Sequence, residues 1–81
     1  MIKVLFFARL REVLGCESLE LPAQFPDMGS LRQTLMSRGQ DWQEFLAPGA
    51  TLGAVNQTLA TDDTPLQDGD EVAFFPPVTG G

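Results

Sequence analysis

The sequence predicts an α+β fold in which one main helix packs on a small mixed β-sheet. Three observations carry that prediction. Residues 2–7 and 71–76, near opposite ends of the chain, are β-rich and apolar at almost every position, as expected of neighbouring central strands with both faces covered. Met28, Leu31 and Leu35 recur at helical spacing and form one apolar stripe. Between these segments lie shorter strand-like runs bounded by Gly, Pro and Asn.

Taken in order, residues 2–7 place Ile2, Val4 and Phe6 on one face and Lys3, Leu5 and Phe7 on the other. Residues 8–14 read as a short helical turn closed by Gly15. Residues 17–21 alternate, with Leu19 and Leu21 facing one way, and predict a second strand paired antiparallel to the first through a wide loop. Phe25-Pro26-Asp27 opens the main helix with Asp27 as N-cap, and Gly39 is expected to mark its end. Gly29-Ser30 lowers helix propensity in the first turn. Residues 41–46 predict a second helical piece that carries Trp42 into the core and stops at Pro48-Gly49. Residues 51–56 form a third strand, Asn56-Gln57 a turn, and residues 58–60 a brief fourth strand. Residues 61–70 are a polar loop from which Pro65-Leu66 dips one apolar side chain into the core. In the last strand Val72 and Phe74 face the core, Ala73 and Phe75 the opposite side. This order and size describe a β-grasp, the ubiquitin-like fold, over residues 1–76, followed by a flexible tail over residues 77–81.

Composition narrows the function. At 81 residues the chain is one small domain with a single core. A formal net charge of −6 disfavours nucleic acid and suits a basic groove on a partner protein. There is no histidine, the usual side chain for proton transfer near neutral pH, and no glycine-rich phosphate loop follows a strand. The single cysteine, Cys16, excludes an internal disulfide and a multi-cysteine metal site, and nothing beside it in the sequence activates its thiol, so it reads as structural or incidental. Asp62-Asp63 and Asp68-Gly69-Asp70-Glu71 lack calcium-loop spacing and read as turns. No apolar run spans a bilayer and the start lacks a signal-peptide layout, so a cytoplasmic location with no membrane partner is expected.

The chemistry lies in the last residues. Gly80 and Gly81 follow Pro76-Pro77-Val78-Thr79 and carry no side chains, so they suit a passage too narrow for any Cβ. The Gly81 carboxylate is a poor electrophile, but as an acyl-adenylate it accepts a thiol, a persulfide or an amine. The two prolines stiffen the root of this arm.

The opening residues 2–8 with Arg11-Glu12, the run Ala54-Val55-Asn56-Gln57, and above all the ending, residues 68–81, resemble the MoaD-type sulfur carriers. These are small subunits of molybdopterin synthase within the MoaD/ThiS ubiquitin-like family. The resemblance spans essentially the whole chain. It implies that an E1-like adenylating enzyme uses ATP and magnesium to attach AMP to Gly81, and that a sulfur donor protein then leaves a thiocarboxylate there. It implies that the tail enters the large synthase subunit, where sulfur passes to cyclic pyranopterin monophosphate to build the molybdopterin dithiolene. On this reading the chain is no enzyme by itself: it binds no cofactor stably, and AMP and sulfur are transient at Gly81. The assembly implied is a heterotetramer with the large subunits at its centre. Phe7, Leu59 and Phe75 resemble the family's apolar docking surface, and period-two alternation independently sets Phe7 and Phe75 opposite the core. Arg11 resembles a partner-contact residue, and Pro76, Pro77, Val78 and Thr79 would line the passage with Gly80 and Gly81.

Three other readings share parts of this pattern. A thiamin-pathway sulfur carrier has the same terminal chemistry, but Phe74-Phe75-Pro76-Pro77-Val78-Thr79-Gly80-Gly81 speaks against it. A ubiquitin-like modifier would couple the same adenylate to lysine amines and yield larger covalent adducts. A binding module with an inert tail would be indifferent to loss of Gly81.

Overall fold

The structure, a computed structural model, describes residues 1–77. Strands β1 (Ile2–Phe6), β2 (Ser18–Leu21), β3 (Leu52–Val55), β4 (Thr58–Ala60) and β5 (Glu71–Phe75) form one sheet in the order β2-β1-β5-β3-β4. The two most apolar strands are its centre. β1 and β5 run parallel, with Val4 opposite Val72 and Phe6 opposite Phe74, and the other pairings are antiparallel. The expected mixed sheet and hairpin are therefore present.

Alternation along β1 and β5 puts Ile2, Val4, Phe6, Val72 and Phe74 on the inner face, all essentially inaccessible to solvent. Helix α2 (Met28–Met36) lays Met28, Leu31 and Leu35 against them, and Leu10, Leu46 and Leu66 complete the core. Each such large side chain stabilises the fold by about 1.5–3 kcal/mol relative to exposure. Leu10 comes from helix α1 (Arg9–Leu14), which Gly15 closes in the left-handed conformation, and Leu46 caps helix α3 (Gln40–Phe45). Trp42 is half-buried at the rim and meets the ring of Phe6 edge-on at 5.4 Å.

Asp27 caps α2 by accepting the Ser30 N–H at 2.8 Å, and that hydrogen bond holds its carboxyl below the usual carboxylate range. The helix stops at Met36, earlier than the expected Gly39. The Ser37 hydroxyl donates to the Thr34 carbonyl at 2.6 Å and its N–H reaches the Gln33 and Thr34 carbonyls, which satisfies the last turn locally. Gly39 instead precedes α3 as its N-cap. Gly29 has a packing reason that outweighs its low propensity. Its N–H donates to the Asp62 carbonyl at 2.9 Å, and a Cβ there would lie 3.2 Å from the same oxygen.

Arg32, also on α2, is buried. Its Nη1 donates to the Leu46 carbonyl at 3.0 Å and the Thr51 hydroxyl at 3.2 Å, and the guanidinium lies over the Phe74 ring. Its Nε is 3.2 Å from Asp62 Oδ1, close enough for a charge contact but outside hydrogen-bond geometry. The side chain thus ties α2 to the segment after α3 and to the loop before β5.

A candidate docking face at the root of the carboxy-terminal segment

The outer face of the sheet follows from register, because directly paired residues point the same way. One row runs Leu59, Ala54, Ala73, Leu5 from β4 to β1. The next pairs Leu52 with Phe75, and Phe7 follows β1 one step beyond, its N–H donating to the Phe74 carbonyl at 3.1 Å. Both rows are apolar. Toward the other end the face turns charged, with Lys3 opposite Glu71 and Glu20. The apolar half therefore lies at the end where β5 gives way to Pro76 and Pro77.

Leu59 is 69% exposed, Phe7 45% and Leu52 38%, whereas Phe75 is half-buried between strands. Three large apolar side chains thus lie open on one contiguous face, which makes it a candidate association surface. Phe7, Leu59 and Phe75 share the outer face of the sheet. Leu52 was missed in the sequence because its place opposite Phe75 depends on a pairing between residues distant in the chain. The turn that presents Leu59 is tight: Asn56 and Gln57 both have positive φ, 49° and 69°, as in a two-residue hairpin turn. Asn56 anchors it, donating through Nδ2 to Asp70 Oδ1 and accepting the Glu71 N–H, each at 3.0 Å.

Arg11 is exposed on α1 and stands 3.8 Å from Glu17, a weak surface pair that leaves its guanidinium available. Pro76 is half-buried and Pro77 exposed. Val78, Thr79, Gly80 and Gly81, four of the five residues of the expected tail over 77–81, lie outside the described residues. Cys16 is half-buried with Sγ 3.5 Å from the Ser18 carbonyl, and is not part of the apolar face. An open cleft lined by Met36, Gln40, Gln43, Glu44 and Ala47 sits on the helix side, away from this face, and brings no acid–base pair together. Among the described residues no group of His, Cys, Asp and Glu is placed to hold a metal ion, and no helix is long and apolar enough to cross a membrane. What this arrangement offers is an exposed apolar face beside the point where β5 ends at Phe75 and Pro76 and Pro77 follow.

The ThiS family model matches residues 4–81. The molybdopterin synthase sulfur carrier subunit of Escherichia coli (strain K12) is 56% identical over 81 residues, covering 100% of both chains. Among solved structures, the complex of subunits 1 and 2 of the molybdopterin-converting factor from Helicobacter pylori 26695 contains a similar chain. It has a TM-score of 0.70 at 33% identity, covering 99% of this chain and 97% of that one. SAMP1 from Haloferax volcanii has a TM-score of 0.81 at 24% identity, covering 99% and 98%, and shares the fold.

Proposed function

The chain belongs to the ThiS family, and on that premise we propose that it is the sulfur carrier subunit of a molybdopterin synthase. The observation that carries this reading is the likeness to the E. coli subunit, 56% identical over 81 residues and covering 100% of both chains, in a chain that itself ends in Gly80-Gly81. The physical layout supports it, since the apolar face surrounds the point where the chain leaves the sheet.

The Gly81 carboxylate attacks the α-phosphorus of ATP in an E1-like enzyme, releasing pyrophosphate and forming the acyl-adenylate. A persulfide sulfur from the donor protein displaces AMP at that carbonyl carbon. A thiol then cleaves the remaining S–S bond and leaves the thiocarboxylate. The large subunit binds the pterin substrate and supplies the catalytic groups. The carrier contributes the sulfur atom, the narrow glycine end that reaches it, and the face formed by Phe7, Leu52, Leu59 and Phe75. Its net charge of −6 makes it a poor holder of a phosphorylated substrate and a good match for a basic partner surface. Two large subunits at the centre of a heterotetramer, each holding one carrier, complete the assembly, in the cytoplasm.

Deleting Gly81, or adding one residue after it, tests the reading. Either change displaces the reacting carbon by about 3.3–3.6 Å, comparable to the roughly 3–3.5 Å separation that reaction requires. Molybdopterin formation in a reconstituted system should be abolished. Full conversion by the chain lacking Gly81 refutes the carrier reading.

A further inference from the structure

Ala8 is a non-glycine residue with φ 54° and ψ −132°. Those angles belong to the first central position of a type II′ turn, where glycine is the favoured residue. An L-alanine is strained there, and its exposed methyl gains no burial in return. The hydrogen bonds show what maintains the conformation. Phe7 donates its N–H to the Phe74 carbonyl at 3.1 Å and accepts the Leu10 N–H at 3.2 Å, while the Ala8 carbonyl accepts the Arg11 N–H at 3.2 Å. Leu10, the next side chain inward, is 3% exposed and locks the far side of the turn into the core. Phe7 is therefore held at both backbone groups, and the reversal at Ala8 is what lets Phe7 stay on the outer face while Leu10 enters the inner one.

We infer that Ala8 is a positioning residue: its left-handed backbone sets the Phe7 ring at the docking face, so that partner affinity depends on the conformation at position 8 and not on its methyl group. This rests on the reading of the Phe7, Leu52, Leu59 and Phe75 face as the docking site. A residue unable to adopt positive φ must rotate the turn and swing Phe7 away, although the inner face of β1 can remain paired with β5. A residue that adopts it freely leaves Phe7 in place.

The test is a double-mutant cycle read as affinity for the large subunit of the same synthase, with thermal melting in parallel. Ala8→Val, β-branched and hostile to positive φ, should weaken binding about tenfold, within the roughly thirtyfold cost of losing a whole aromatic anchor. Ala8→Gly should bind as the parent does. In a Phe7→Ala background the further effect of Ala8→Val should vanish, because a residue acting through Phe7 has nothing left to position. An equal loss from Ala8→Val with and without Phe7, or weakened binding by Ala8→Gly, overturns the inference. If Ala8→Val does not fold, D-alanine at position 8 carries the test, introduced by ligating residues 1–15 to Cys16 onward. It keeps the methyl and removes the strain, so it should melt higher and bind at least as tightly, and weaker binding overturns the inference. The docking reading fails separately: Phe7→Ala and Leu59→Asp would then both bind as the parent does.

Discussion

Truncating Leu59 separates binding from folding more cleanly than any other change on the sheet. The side chain stands on edge strand β4, and 69% of the residue remains exposed. Fully burying a leucine contributes about 1.5–3 kcal/mol, so the fraction still open leaves roughly 1–2 kcal/mol to be gained on docking. Leu59→Ala should then weaken binding to the large subunit about five- to thirtyfold. Stability should change by no more than about 0.5 kcal/mol, as for other surface positions. Leu52→Ala, at 38% exposed, should cost less binding than Leu59→Ala. Titration calorimetry against the large subunit reads the affinity, and a less negative heat capacity of binding should accompany the lost apolar burial. If Leu59→Ala lowered the melting temperature by several degrees while affinity stayed unchanged, the residue would belong to the fold and the face would not be a docking surface.

Two further expectations concern the fold that supports this face. Gly53→Ala places a Cβ 2.6 Å from Met28 Cε, the far end of a flexible side chain that must shift to admit it, so the loss in urea unfolding should be at most about 1 kcal/mol, the lower end for overpacking. The carboxyls of Asp27 and Asp68 both sit below the usual carboxylate range, the first through the Ser30 N–H and the second through its hydrogen bond and ion pair with the N-terminal amine. Because their folded pKa values are depressed, the stability they contribute is present above the unfolded value and is lost as pH falls through the folded one. Melting temperature should therefore drop through acid pH, less steeply in Asp27→Asn and Asp68→Asn.

Much of this architecture was legible in the residues. Period two along Ile2–Phe6 and Glu71–Phe75 identified the inner and outer faces, because both strands are central and their inner side chains share one core cluster with Met28, Leu31 and Leu35 of α2. The same alternation located Phe7 and Phe75. Long-range geometry was not legible. Leu52 joins the face only through its pairing with Phe75, and Gly29 and Gly53 sit at close approaches to Asp62 and Met28. The end of α2 was placed at Gly39 because glycine is the common stop signal, whereas a serine hydroxyl closes the helix three residues sooner. Arg32 sits one position past Leu31 and three before Leu35, within the apolar stripe, and its burial was detectable in that spacing. The positive φ of Ala8 has no signal in the sequence, since alanine does not announce it.

The central claim is that Gly81 carries sulfur, and the intact mass of the chain measures this most directly. After co-expression with an E1-like adenylating enzyme and a persulfide donor, the account predicts a mass increase equal to replacement of one oxygen by sulfur. Fragmentation should place it on Gly81, and the increase should be absent when the adenylating enzyme is omitted. An unchanged mass under those conditions, or mass appearing instead as covalent adducts on lysines of other proteins, would contradict it.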